Sequence, residues 1–175
     1  SYNQAEYIEE TINSVATQKC IFPFEHIIQD GGSTDATLKV LKKNDDKIKW
    51  VSQIDDGQSH ALSMALKRCD GNIIGWLNSD DLYLPGTLER VGQYFADHPE
   101  CKWLYGRCKI INAKGKEIRK PIKWYKNIIS FFYSYKLLLV QNYISQPAVF
   151  FRKDVFLDFL PDKTLHFAMD YDMWL

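Results

Sequence analysis

The stretch from Gly71 to Pro85 constrains this chain most. It opens with a short apolar run, Ile73 to Leu77, whose pattern predicts a buried strand. The run stops at Asn78-Ser79-Asp80-Asp81, and Pro85 then suits the first turn of a helix, where a residue without an N–H is tolerated. Two adjacent carboxylates are thereby placed at the carboxyl end of a buried strand, the edge where ligands bind in open α/β sheets. Packed carboxylates repel and call for a cation or strong donors. A hard divalent cation carrying phosphates fits that need. The competing reading makes Asp80 and Asp81 the acidic opening of the next helix, complementing its dipole.

The rest of the first half alternates strand and helix. Ile8, Ile12 and Val15 repeat at helical spacing in a segment ending near Gln18. His26 to Asp30 reads as a strand, followed by the glycine turn Gly31-Gly32 and a helix carrying Leu38, Val40 and Leu41, with Ser33 or Thr34 as its cap. Ile48 to Ser52 is the next strand, and Asp55-Asp56-Gly57-Gln58-Ser59 a loop that ends in a cap. A helix follows from about Ser59 to Arg68, with Leu62, Ala65 and Leu66 on one side. After Asp81 the pattern predicts a helix from about Pro85 to Asp97. This order argues for a doubly wound, mainly parallel sheet.

The second half changes character. Trp103 to Ile111 reads as a strand, with Lys116 to Lys120 as its returning partner. Trp124 to Leu139 is amphipathic and aromatic and reads as one helical stretch. Gln146 to Phe151 is a short strand and Val155 to Leu160 a short helix. The segment from Met169 onward opens a last helix, with Asp170 and Asp172 in its first turn.

At 175 residues the chain suits one domain, 1–175. It begins at Ser1 and ends at Leu175 inside an apolar run, so it reads as a piece of a longer protein, truncated at both ends. Net charge is zero, which gives no global pull toward nucleic acid or membranes. The cysteines Cys20, Cys69, Cys101 and Cys108 form no CxxC pair and no zinc spacing, and read as reduced thiols of a cytoplasmic protein. No apolar run approaches the ~18 residues needed to span a bilayer.

Acidic residues recur at strand ends and helix starts: Asp30 with Asp35, Asp80 with Asp81, and Asp170 with Asp172, besides Asp55-Asp56 in a loop. Strands of one sheet bring their carboxyl ends to one crevice. Together with Ser1-Tyr2-Asn3, the elements Asp30-Gly31-Gly32-Ser33-Thr34-Asp35, Asp56-Gly57-Gln58-Ser59, Asn78-Ser79-Asp80-Asp81 and Met169-Asp170-Tyr171-Asp172 resemble the family 2 glycosyltransferases, inverting enzymes with the GT-A fold. The resemblance covers nearly the whole chain in the family's order. It implies an α/β fold of GT-A type, a mixed and mainly parallel sheet flanked by helices.

The resemblance also implies roles. Asp30 matches the acid that hydrogen-bonds the donor base, usually uracil; the plain alternative is a turn-forming Asp before Gly-Gly. Asp80 matches the last acid of the family's Asp-x-Asp, which binds Mg²⁺ or Mn²⁺ and through it the diphosphate. Asn78 replaces the first acid; it keeps an acceptor oxygen for ribose or sugar and removes one charge. Asp81 is either a helix-start acid or a support for Asp80. Asp170 matches the general base, with Met169 in place of the family's Glu, and Asp172 competes for the role. Asp56, Gly57 and Gln58 lie where the family contacts nucleotide or phosphates, and Tyr2 and Asn3 lie beside the base. Trp124, Tyr125 and Trp174 are candidates to stack on a sugar, against the commoner place of aromatics in a core. Trp76 and Trp103 read as core, and His166 stands between an acceptor-side place and a structural one.

The expected function is inverting transfer of a sugar from a nucleotide-diphosphate donor, UDP-linked, to a hydroxyl of a glycan or lipid-linked acceptor. A Mg²⁺ or Mn²⁺ ion assists and Asp170 is the base. No nucleic-acid partner is expected, and any contact with the inner face of the membrane would run through segments outside this sequence. The alternatives are a non-catalytic nucleotide-sugar binding domain, or another Mg²⁺-dependent nucleotide enzyme on a Rossmann-like sheet.

Overall fold

The computed structural model describes residues 1–131, 133–158 and 169–175. The first helix, α1 (Ile8–Ala16), buries Ile8, Thr11, Ile12 and Val15, one face at helical spacing, and carries Glu9 and Glu10 in its first turn. Strand β1 (Ile27–Asp30) pairs in parallel with β2 (Lys49–Ser52) across helix α2 (Thr37–Lys43). Ile8, Ile12, Ile28, Leu41 and Ile48 close over this unit as one core, each burial worth about 2 kcal/mol. Ser1 extends the ladder beside β1: its amino group donates to Gln29 O and its carbonyl accepts from Gly31 N, both at 2.8 Å.

Helix α3 (Gln58–Leu66) leads to β3 (Ile73–Gly75), and α4 (Thr87–Asp97) to β4 (Trp103–Tyr105). Strand β5 (Val149–Arg152) lies between β3 and β4 and runs antiparallel to both. The described strands thus form two sheets, the parallel β1–β2 pair and the antiparallel β3–β5–β4 sheet. A second core, including Leu66, Ile74, Leu138, Val149, Phe151, Phe156 and Trp174, packs on the β3–β5–β4 sheet. Helices α5 (Lys120–Ile129), α6 (Tyr135–Leu138), α7 (Lys153–Asp158) and α8 (Met169–Trp174) complete the described chain.

Several local expectations change. The apolar run is strand only to Gly75, because Trp76 and Leu77 turn toward the loop after it. Asp80 and Asp81 do not open a helix. Helix α4 starts at Thr87 behind Gly86, which sits at a left-handed φ of 76°, so Pro85 also lies outside it. Neither Ser33 nor Thr34 caps α2; Ala36 holds the cap position, and Asp35 before it accepts from Thr37 N through Oδ1 at 2.8 Å. Ser59 lies inside α3, whose buried residues are Ser59, Ala61 and Leu66. The strand expected from Trp103 to Ile111 ends at Tyr105, and its return survives as the Ile111–Glu117 bridge. The segment from Trp124 to Leu139 is two helices, because the Ser134 hydroxyl caps a new start at α6. The end of the helix expected to reach Leu160 lies outside the described residues.

Candidate active site

The loop after β1 is built around Asp30. Its Oδ2 accepts from Gly32 N at 3.1 Å, Ser33 N at 2.9 Å and Ser52 Oγ at 2.7 Å, and its Oδ1 from Ser33 Oγ at 2.5 Å. The residue is 0% exposed. Burial pushes its carboxyl up, but the Ser33, Ser52 and Gly32 donors outweigh that and hold it below the ordinary value. Gly32 takes a φ of 83°, which the turn requires of a glycine. Asn3 ties the loop from the other side. At a left-handed φ of 49°, its Oδ1 accepts from Thr34 N at 2.9 Å and Asp35 N at 3.3 Å, and its own N–H donates to Ser33 Oγ at 2.8 Å. Tyr2 is 59% exposed beside it.

The loop before α3 packs against this turn. A Cβ on Gly31 would lie 2.7 Å from Asp55 Oδ2, so only glycine lets the two loops meet. Asp55 Oδ1 accepts from Gly57 N at 2.9 Å, and Gly57 has a φ of 106°. Asp56 is exposed, with its carboxylate 3.1 Å from His60 Nδ1.

Gln58, the first residue of α3, reaches the loop after β3. Its Nε2 donates to Asn78 Oδ1 at 2.8 Å, and Asn78 Nδ2 donates to Gln146 Oε1 at 2.9 Å and to Asp81 Oδ2 at 3.3 Å. Gln146 in turn donates to Trp76 O at 2.5 Å. Thr11 Oγ1 of α1 holds the Ser79 carbonyl at 2.9 Å. Asp81 is half-buried; burial first, and then the Asp80 charge, push its carboxyl up against the pull of the Asn78 amide. Asp80 is exposed at the tip of the same loop.

Helix α8 is joined to this corner by its first residue. Met169 Sδ accepts from Ser59 Oγ at 2.9 Å, with both residues buried. Asp170 follows, half-buried, while Asp172 is exposed. Gln58, Asn78, Asp81 and the start of α8 therefore share one corner at the sheet edge, and the Asp30 loop adjoins it through Gly31 and Asp55.

The profile of the family described as Glycosyl transferase family 2 matches residues 1–159. The chain belongs to that family. Among its relatives are an uncharacterized glycosyltransferase of Rickettsia conorii, 30% identical over 183 residues that cover 99% of this chain and 29% of the relative, and the poly(ribitol-phosphate) beta-N-acetylglucosaminyltransferase TarS of Staphylococcus aureus, 32% identical over 122 residues covering 66% of this chain and 21% of TarS. The solved structure of S. aureus TarS 1–349 in complex with UDP superposes with a TM-score of 0.74 at 24% identity, covering 99% of this chain and 51% of that one. The fold is GT-A. The chain spans about half the length, or less, of the curated relatives it matches.

Within this member of family 2, the candidate cation site can be tested on its donors. Among the described residues no group of three His, Cys, Asp or Glu is placed to hold a metal ion. Asp80 offers one exposed carboxylate, and Asp81, pushed up by burial and by Asp80, would be relieved by a neighbouring cation. That donor set fits a divalent ion whose remaining ligands are phosphate oxygens and water.

The aromatic candidates divide. Trp174 is 4% exposed and stacks on Trp103 at 6.1 Å and on Phe151 at 5.7 Å, so it belongs to the core and not to a sugar platform. Trp103 and Trp76 are core as expected. Trp124 is 67% exposed, and Tyr125 donates from its hydroxyl to Gln141 Oε1 at 2.9 Å. His166 lies outside the described residues. Sequence reasoning gave Gln146 no role in the site and read Ser59 only as a cap; their partners lie 68 and 110 residues away along the chain.

Proposed function

We propose that this chain is the catalytic domain of an inverting glycosyltransferase that moves a sugar from a UDP-linked donor to an acceptor hydroxyl. The observation that carries the reading is the corner where Gln58, Asn78 and Asp81 meet and where Ser59 holds Met169 beside Asp170.

In this reading the donor base lies beside Tyr2 and addresses Asp30 through Oδ1, the oxygen whose single donor among the described residues is the Ser33 hydroxyl. An imino N–H takes that donor's place while the Oδ2 bonds keep the loop intact. Asn78, oriented by Gln58 and Gln146, addresses the ribose or sugar, and the Asp56–Gly57 loop borders the phosphates. Asp80 would hold a Mg²⁺ or Mn²⁺ ion. When bound, that ion supplies charge neutralisation for the departing diphosphate.

The acceptor hydroxyl oxygen attacks the anomeric carbon on the face opposite the diphosphate. The carbon–oxygen bond to the diphosphate breaks as the new glycosidic bond forms, and configuration inverts. Asp170 accepts the hydroxyl proton. Holding both substrates in one crevice supplies the proximity. Asp170 is favoured over Asp172 because it is the half-buried member, one residue from the Ser59 anchor.

A thermal-shift series with UDP, UDP-sugars, Mg²⁺ and Mn²⁺ tests the donor half. UDP should raise Tm in proportion to its affinity, and more so with the cation. Asp80→Ala should abolish the cation-dependent part alone. UDP with no effect on Tm at saturating concentration would sink the reading.

A further inference from the structure

Beyond the corner just described, the structure holds a cavity of about 120 Å³ between the segment after β4 and helix α5. That is far above the ~10–15 Å³ one water needs. Its lining includes Arg107, Lys123 and Lys126, with Asn127, Ser130 and Ser145. Three cationic residues thus line one small space. Lys123 is paired with Glu117. Arg107 and Lys126 have no ion pair or side-chain hydrogen bond among the described residues, and Lys126 is half-buried.

The surrounding sequence makes this imbalance systematic. From Lys102 to Lys136 the chain holds ten lysines and arginines and one carboxylate, Glu117, although its total charge is zero. A half-buried ammonium without a partner is costly, and a buried anion offsets the cost. Self-pairing does not provide that anion, because Glu117 already serves Lys123.

The cavity also adjoins the proposed active site. Ser145 lines it, and the next residue, Gln146, accepts from Asn78 Nδ2 at 2.9 Å. Cys108, another lining residue, feels both Asp81 and Lys126: its thiol is raised by burial first, lowered by a Ser145 hydrogen bond, raised by Asp81 and lowered by Lys126. The donor corner and the cationic cavity are therefore neighbours, joined through Ser145 and Gln146.

We propose that this cavity is an anion subsite for the acceptor, holding a phosphate or carboxylate of the acceptor chain between Lys126 and Arg107. The proposal rests on the glycosyltransferase reading for the word acceptor, but not for the anion. A group seated there fixes one point of the acceptor while its hydroxyl reaches toward Asp170. Asn127, Ser130 and Ser145 supply neutral donors for the remaining oxygens. Removing either cation weakens binding of the charged chain and leaves the donor site, on the far side of Gln146, untouched.

The test is binding of matched-length oligomers to the intact protein by titration calorimetry: a polyol-phosphate oligomer, a uronic-acid oligosaccharide and a neutral oligosaccharide, at low and moderate salt. UDP binding is measured on the same samples. At least one anionic oligomer should bind about tenfold more tightly than the neutral one, a difference of about 1.4 kcal/mol, and the preference should shrink with salt. The phosphate and carboxylate arms tell which group is taken. Lys126→Gln combined with Arg107→Gln should erase the preference with UDP affinity unchanged and Tm not lowered. Equal binding of all oligomers, no binding of any, or a preference that survives the double variant overturns the inference. Failure of UDP to bind, with the anion preference intact, would overturn the glycosyltransferase reading instead.

Discussion

Ser59 Oγ donates to Met169 Sδ at 2.9 Å, joining the start of α3 to the start of α8 across 110 residues of chain. Both residues are buried. The resemblance implies a glutamate where this chain has Met169, and a carboxylate there would carry charge into a space lined by a hydroxyl and core side chains. A thioether fills the same space as a soft, weak acceptor. The departure from the family pattern is thus a consistent local solution, and it leaves Asp170 anchored from one side.

Truncating that anchor should loosen α8. Met169→Ala should cost about 2–4 kcal/mol of stability, as for other buried large-to-small changes. Met169→Glu should cost more, because it places a charge at a buried position. Urea unfolding measures both. Transfer should fall in Met169→Ala while UDP affinity holds, since the displaced group is the proposed base and not the proposed donor site. A Met169→Ala protein of unchanged stability would show that the thioether contact holds nothing.

Asp170→Asn keeps shape and removes the proton acceptor, so transfer should drop by at least about 100-fold, within the usual contribution of a general base. UDP binding and Tm should stay within error. Asp172→Asn, at an exposed position, should leave transfer nearly intact. The opposite ranking of the two variants would move the base to Asp172.

Asn78 sits at a crossing of three bonds, accepting from Gln58 and donating to Gln146 and Asp81. Asn78→Asp loses both donations and adds a carboxylate beside Asp80 and Asp81. Without cation the variant should be less stable by about 1–3 kcal/mol. With Mn²⁺ and UDP it should recover more Tm than the wild type, because the added anionic oxygen favours a hard cation. Equal Tm gains in the two proteins would remove Asn78 and its loop from the cation site.

The strands, the helices and the acidic loops were legible because each rests on local pattern: Ile8, Ile12 and Val15 at helical spacing, or Asp30 before Gly31-Gly32. What was not legible depends on tertiary partners. Asp80 and Asp81 carry the chemistry of a helix start, yet Gly86, at φ 76°, delays α4 to Thr87. Trp174 reads as a possible sugar platform until Trp103 and Phe151 are seen stacked on it. The segment from Trp124 to Leu139 has one helical period, and only the Ser134 cap divides it. Gly75 gave no signal at all, although a Cβ there would lie 2.6 Å from the Tyr83 hydroxyl. Gln146 is a plain polar residue until the fold sets it between Asn78 and Trp76.

His26 provides a pH test of the β1 unit itself. Burial pushes its imidazole down to about 4, and its Nδ1 is shielded without a partner among the described residues. The unfolded chain, at an ordinary ~6.5, binds more protons between those values. Stability from this group is therefore complete above about pH 6.5 and is lost as pH falls toward 4. The full difference corresponds to about 3 kcal/mol, and solvent screening of a residue that is only half-buried overall reduces the expected loss to about 1–2 kcal/mol. Unfolding free energies of the wild type and His26→Phe, measured between pH 7.5 and 4.5, isolate it from the carboxylates that titrate in both. The wild type should lose that much more than the variant over this range. Parallel curves would mean that His26 takes up its proton in the folded state as readily as in the unfolded chain.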